Sequence, residues 1–170
     1  MVINYKKTKD WFKLAFNNLD RVIRNYKVKD YADCVFRIQL SIEQLQKALL
    51  FLLGLQFKKT YEPSIIIESF VSTENSNIEE DKRNSLLNIA NLAKDLEQEE
   101  TKTRYGIMKG ENLIPPEEEY DIIKTKVYLK NVIEILIEIL KLLKDLQEFN
   151  VERKKLRYFK NMIKKVINFD

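Results

Sequence analysis

The sequence predicts an all-α fold, an antiparallel up-and-down bundle of four to five main helices with a basic amphipathic helix at its C-terminal end. Three observations support this. Glycine and proline occur only three times each in 170 residues, which leaves little material for hairpins or linkers. Apolar side chains recur three and four residues apart, the period of a helix with one buried face. No segment is predicted to be a strand.

The first helix is predicted over residues 11–26, with Thr8 or Asp10 as its N-cap. Its apolar stripe consists of Phe12, Ala15, Phe16, Leu19, Val22, Ile23 and Tyr26. The second helix begins near Val28 or Asp30 and has the most regular pattern in the chain, formed by Tyr31, Val35, Ile38, Ile42, Leu45, Leu49 and Leu52. Gly54 follows, where a left-handed C-cap is expected.

The middle of the chain is predicted to hold two further helices. A short one starts at Ser64 with Pro63 just before it, and the segment STENSN, residues 72–77, is predicted to be a loop. A longer helix over 78–101 has its apolar face at Leu86, Ile89, Ala90, Ala93 and Leu96. The segment TRYGIMKGENLIPP, residues 103–116, ends it and contains two of the three glycines and two of the three prolines.

The C-terminal third is predicted to form one long helix and one short one. Pro116 precedes a helix from Glu117 to Phe149, whose first turn is acidic and whose middle is apolar around most of its circumference. It should lie in the core or in an oligomer contact. The last helix, over 151–169, is amphipathic. We therefore expect a bundle over 1–149 and a basic helix over 150–170 packed on the same domain.

Several chemistries are excluded by composition. The chain has no histidine, which removes the usual metal ligand, the usual proton shuttle and any imidazole-dependent triad. We expect neither a metal nor a tightly bound organic cofactor. Cys34 is the single cysteine and the N-terminus has no signal-peptide pattern, so a cytoplasmic location is expected. Charged residues interrupt the most apolar run, which argues against a membrane span.

Positive charge is concentrated at the C-terminal end. Residues 150–170 hold seven basic and two acidic side chains, against a net charge of +4 for the whole chain. The candidate nucleic-acid contacts are Lys154, Lys155, Arg157 and Lys164. The alternative is that the apolar side of this helix docks on the bundle and its lysines form a solvated face.

A polar row on the second helix is a further candidate site. Gln39, Glu43 and Lys47 are each four residues apart and lie roughly 110° from the centre of the apolar face. This places them at the edge of the core. The alternative interpretation is an ordinary Glu to Lys pair at a helix boundary.

An ordered set of segments resembles the HEPN family, small helical domains found mainly in prokaryotes. It runs from WFKLAFNNLDRV through KDYADCVFRIQ, the polar row, KKTYEPS and TRYG to the Pro-Pro-Glu-Glu helix start, and covers residues 10–146. The resemblance implies an up-and-down bundle that commonly dimerises. It also implies a lineage of ribonucleases of toxin and defence systems, of partners of small nucleotidyltransferases, and of proteins proposed to bind nucleotides.

The sequence departs from the family's nuclease pattern at its histidines. Nuclease members carry an arginine followed, after four to six residues, by histidine. Arg104 matches the arginine, but Lys109, Gly110 and Glu111 occupy the histidine positions. Tyr61 lies where many non-nuclease relatives carry a histidine. The resemblance therefore implies fold and lineage more than activity.

Three functions remain open on the sequence. The first is a non-catalytic or degenerate member that binds a nucleotide, RNA or a partner nucleotidyltransferase in a toxin-antitoxin-like pairing, through Arg104, Tyr105 and Lys109 together with the polar row. The second is a metal-independent ribonuclease without histidine. The third is a structural helical homodimer. For Arg104 and Tyr105 the structural alternative is a cation at a helix C-terminus beside a tyrosine packed in the core.

Overall fold

The predicted apolar stripes form the buried faces of helices in the computed structural model, which describes residues 3–73 and 78–168. The helical content is 77%, and the predicted all-α bundle is confirmed. The elements are α1 (Tyr5–Lys27), α2 (Tyr31–Leu52), α3 (Pro63–Ser72), α4 (Glu80–Glu97), α5 (Lys102–Tyr105), β1 (Ile107–Lys109), β2 (Asn112–Ile114), α6 (Pro116–Glu119), α7 (Ile122–Leu142), a 3₁₀ turn (Gln147–Phe149) and α8 (Asn150–Asn168).

The first two helices differ from the prediction mainly at the start of α1. The side chain of Asn4 accepts a hydrogen bond of 3.0 Å from the Lys7 amide and is the N-cap. The prediction of Thr8 or Asp10 as N-cap was therefore wrong. Asp30 caps α2, and Gly54 ends it at φ 69° in a Schellman arrangement, with the Leu55 amide donating to Leu50 and the Gly54 amide to Phe51.

The middle helices were predicted in the right places. α3 begins at Pro63, one residue before the predicted start. α4 begins and ends inside the predicted range of 78–101, and residues 98–101 form a turn before α5. Ser72 still belongs to α3, and residues 74–77 of the predicted loop lie outside the described residues.

A small β-hairpin lies between α5 and α6, where no strand was predicted. β1 and β2 are antiparallel, with Ile107 opposite Ile114 and Lys109 opposite Asn112. The hairpin forms because two glycines take positive φ values, 73° at Gly106 and 63° at Gly110. The prediction that the chain has no strand was wrong here because each strand is only three residues long.

The predicted single helix over 117–149 was wrong at both ends. At its start, Tyr120 is extended and buried and donates a hydrogen bond to Glu99, after which Asp121 caps α7 by accepting from the Lys124 amide at 2.8 Å. At its end, α7 stops at Leu142 and a turn buries both Leu143 and Phe149. Neither glycine nor proline marks these breaks, so no local residue signal predicts them.

The core lies between α1, α2, α4 and α7, with α8 packed across α1 and α7. The middle of α7 is buried at Leu129, Val132, Leu136 and Ile139 because α2, α4 and α8 surround it. Contacts within one chain therefore bury the apolar middle of α7. α8 buries Leu156, Phe159, Ile163 and Val166 and exposes most of its basic residues.

Candidate functional site

Arg104 lies on α5, against the side of α2. Its Nη2 atom is 3.2 Å from Oε1 of Glu100, and its guanidinium carbon is 5.4 Å from the ring centroid of Phe36. The guanidinium carbon of Arg37 is 5.0 Å from the same ring. The Arg104 side chain remains 35% exposed. An arginine held against an aromatic ring, with part of its fork open to solvent, is suited to contact a phosphate.

Tyr105 and Lys109 extend this site toward the hairpin. Tyr105 is 69% exposed, which rules out the alternative that it packs in the core. Lys109 is exposed at the end of β1, next to the turn at Gly110 and Glu111. Gly106 joins α5 to β1 by a close approach of its backbone to Ile114. The positions that hold histidine in nuclease relatives therefore lie at an exposed hairpin tip.

A cluster of polar side chains around the buried carboxylate of Glu99 lies beside α5. Glu99 is 5% exposed and accepts hydrogen bonds from the Tyr120 hydroxyl at 2.5 Å and from Lys102 Nζ at 3.0 Å. Lys124 Nζ is 4.0 Å from the same carboxylate and also pairs with Glu119. These contacts join the end of α4 to the start of α7 and fix the position of α5 between them.

The protonation states of this cluster argue against a proton-transfer role. Burial raises the pKa of Glu99, but the hydrogen bonds from Tyr120 and Lys102 and the charges of Lys124 and Lys102 lower it overall. Burial, and then the hydrogen bond to Glu99, raises the pKa of Tyr120. Near neutral pH Glu99 is thus an ionised carboxylate and Tyr120 a protonated phenol, and the two are hydrogen-bonded to each other.

The polar row of α2 does not reach this site. Gln39, Glu43 and Lys47 are all buried, with Lys47 Nζ 2.5 Å from Glu43 and 5.1 Å from the Trp11 ring centroid. Gln39 donates to Glu43 at 3.3 Å. Burial on this scale favours the structural interpretation, because a ligand could reach these groups only if helices moved apart.

The C-terminal candidates lie on another side of the bundle. Lys154, Lys155, Arg157 and Lys164 are exposed on α8, which contacts α1 and α7. Lys155 Nζ lies 5.5 Å from the ring centroid of Phe16 on α1. The structure therefore separates two groups of predicted residues, one around α5 and the hairpin and the other on α8.

Sequence reasoning missed Phe36, Arg37 and Glu99. Phe36 and Arg37 belong to the segment that carries the family resemblance, but only the fold brings them to Arg104. A signal for Glu99 does exist. The segment LEQEE puts acidic side chains at the C-terminal end of a helix, where the dipole disfavours them, and this implies partners from elsewhere in the chain.

Two further properties of the described residues bear on function. Their carboxylate and cysteine side chains nowhere form a group of three or more that could hold a metal ion. Among the described helices, none combines the length and hydropathy that a membrane span requires.

One comparison with known proteins agrees with the resemblance seen in the sequence. Comparison with curated proteins found no match, and comparison with solved structures found none either. A family model described as the HEPN domain matches residues 8–146, which run from the first turn of α1 through the end of α7 and cover most of the chain. The match excludes α8. On this match and on its helical bundle, the protein belongs to the HEPN domain family.

Proposed function

We propose that the protein is a non-catalytic or degenerate HEPN member that binds a nucleotide or RNA through Arg104. The observation that carries this proposal is the geometry of that side chain, which is partly exposed and lies 5.4 Å from the Phe36 ring centroid. Its contact with Glu100 is made through Nη2, and a guanidinium has five N–H donors. Donors remain for a phosphate, and the exposed Tyr105 ring can stack on a base.

The proposal favours binding over cleavage because the chain has no histidine to accompany Arg104. Attack by a ribose oxygen needs a general base and a general acid near their working pKa values. The chain has no imidazole, and Glu99 and Tyr120 are engaged with each other. A metal-independent ribonuclease would have to use Tyr105, Lys109 or Glu111, which are all exposed near the hairpin. Glu100, the carboxylate beside Arg104, is paired with its guanidinium.

Isothermal titration with ATP, GTP and short single-stranded RNAs, at low and moderate salt, tests the binding proposal. We expect a salt-sensitive signal with at least one of these ligands, weakened about tenfold by Arg104→Ala. Lys94→Ala is the matched control, since Lys94 pairs with Glu68 away from the proposed site. The absence of any heat, or an affinity unchanged in Arg104→Ala, would contradict the proposal.

A protein contact is a second candidate function. Tyr105, Met108 and Leu113 are each at least 60% exposed within one short segment, and grouped apolar side chains of this kind often mark an interface. The partner would be a nucleotidyltransferase, as in toxin-antitoxin pairs, or a second copy of the chain. Sedimentation of a monomer at micromolar concentration would remove the second-copy version.

A further inference from the structure

A groove between α1 and α8 combines positive charge with exposed aromatic surface. The volume of this groove is about 430 Å³, within the usual range for ligand sites. Arg21, Arg24 and Lys155 line it, and Asp20 is the one acidic side chain among the described residues that line it. The groove is distinct from the site at Arg104, which lies against α2. Since α8 lies outside the matched region, the groove does not follow from family membership.

Aromatic rings line this groove together with the cations. Phe16 and Phe159 stack at 5.6 Å between centroids, with an angle of 19° between their planes. Tyr158 packs against Phe159 edge-on at 5.2 Å and is 54% exposed. The contact with Phe159 therefore supports the Tyr158 ring, and the exposed part of that ring is open to a ligand. A nucleobase can stack on such a ring whatever its identity.

The cations are placed to contact phosphates beside a stacked base. Arg24 pairs with Asp20 at 2.9 Å, but both side chains are more than half exposed, so solvent screens this pair strongly. Arg21 is exposed one helical turn before Arg24. Lys155 packs its ammonium over Phe16 at the edge of the same groove. Three cations against one acid give the groove a positive field that favours a polyanion.

We infer that the groove between α1 and α8 binds single-stranded nucleic acid, with a base stacked on Tyr158 and phosphates on Arg21, Arg24 and Lys155. The combination of charge and an exposed ring favours this ligand over an acidic peptide, which has no flat base to stack. A duplex would present its bases already stacked and would not use Tyr158. The inference stands on residues separate from those of the proposed function.

The test is fluorescence anisotropy with labelled oligouridylate and its DNA counterpart, oligothymidylate, over a salt series. We expect Tyr158→Ala to weaken binding about tenfold. Arg21→Gln should weaken binding and reduce the slope of log K against log salt by roughly 0.7, the contribution of one phosphate contact on a single strand. The affinities for the two oligonucleotides show whether the groove binds RNA or DNA more tightly.

Matched controls separate the groove from general charge and from the site at Arg104. Lys130→Gln removes an exposed cation from α7, so it should not change the affinity. Loss of binding in Tyr158→Ala and Arg21→Gln supports the inference whether or not Arg104→Ala also loses binding. Loss in Arg104→Ala alone would overturn the inference and leave the proposed function standing.

Three other results would also overturn it. One is the absence of oligonucleotide binding by the wild-type protein. Another is equal loss in the groove variants and in Lys130→Gln, which would indicate a diffuse charge effect. The third is preferential binding of an oligoglutamate peptide at the groove, which would assign it to an acidic protein segment. Melting curves of each variant confirm that the chain remains folded at the assay temperature.

Discussion

Ending the chain at Phe149, and so removing α8, is expected to lower the melting temperature by about 10 °C or more. α8 buries Leu156, Phe159, Ile163 and Val166 against α1 and α7. Each such side chain contributes roughly 1.5–3 kcal/mol when it is fully buried, and a protein of this size loses about 2–4 °C per kcal/mol. Truncation also exposes Phe16 and its partners to water. Differential scanning calorimetry measures the change.

Two single substitutions in α8 provide the control for this prediction. Phe159→Ala removes a ring that is 6% exposed and should cost about 3–5 kcal/mol. Tyr158→Ala changes the next residue along, whose ring is largely exposed, and should cost much less. A melting temperature that truncation leaves unchanged would show that α8 does not stabilise the bundle and would favour a purely ligand-binding role for it.

Gly106→Ala is expected to disrupt the hairpin, at a cost of about 2–4 kcal/mol. Gly106 has φ 73° and ψ −164°, a region of backbone conformation that only glycine adopts readily. A Cβ atom there would lie 2.1 Å from the Ile114 carbonyl oxygen and 3.1 Å from the Pro115 Cα. Both neighbours are backbone atoms, so the strands must separate to relieve the contact.

Gly110→Ala is the matched control in the same hairpin. Gly110 also has a positive φ, 63°, but a Cβ there would meet no atom within 4 Å. Gly110→Ala should lower the stability by only about 1 kcal/mol, the cost of a left-handed backbone at alanine. Amide hydrogen exchange over residues 107–114 reports on the strands directly, and we expect much faster exchange in Gly106→Ala than in Gly110→Ala. Equal exchange in the two variants would contradict the close approach at Gly106.

The buried faces of the helices could be predicted because their signals are local. The stripe from Phe12 to Tyr26 and the pattern from Val35 to Leu49 follow from helical periodicity, and the residues in them are buried. Gly54 was likewise predictable, since a left-handed glycine after an apolar run is a local C-cap signal.

The breaks at either end of α7 were not predictable because their causes are long-range. Tyr120 leaves helical geometry to reach Glu99, which is 21 residues earlier in the chain. The hairpin was missed for a different reason. Its strands have three residues each, too few for an alternating pattern to predict them.

Within the candidate site, Arg104, Tyr105 and Lys109 could be predicted from the sequence, but the contact of Arg104 with α2 could not. Arg104 stands out within TRYG, but its aromatic neighbour Phe36 lies on α2, 68 positions earlier in the numbering. The polar row of Gln39, Glu43 and Lys47 has helical spacing and is nevertheless buried. Spacing predicts the angle of a side chain around its helix, but it does not predict which neighbouring elements cover that side chain. The groove between α1 and α8 required the packing of two helices that are distant in sequence.

We propose that this HEPN protein binds its ligand without cleaving it. The most direct test is to incubate the pure protein with end-labelled single-stranded RNA in metal-free buffer and to resolve the products on a denaturing gel. We predict that the RNA stays intact with the wild-type protein and with Arg104→Ala alike. Cleavage by the wild-type protein that Arg104→Ala abolishes would contradict the claim and would assign the site to a ribonuclease that works without histidine.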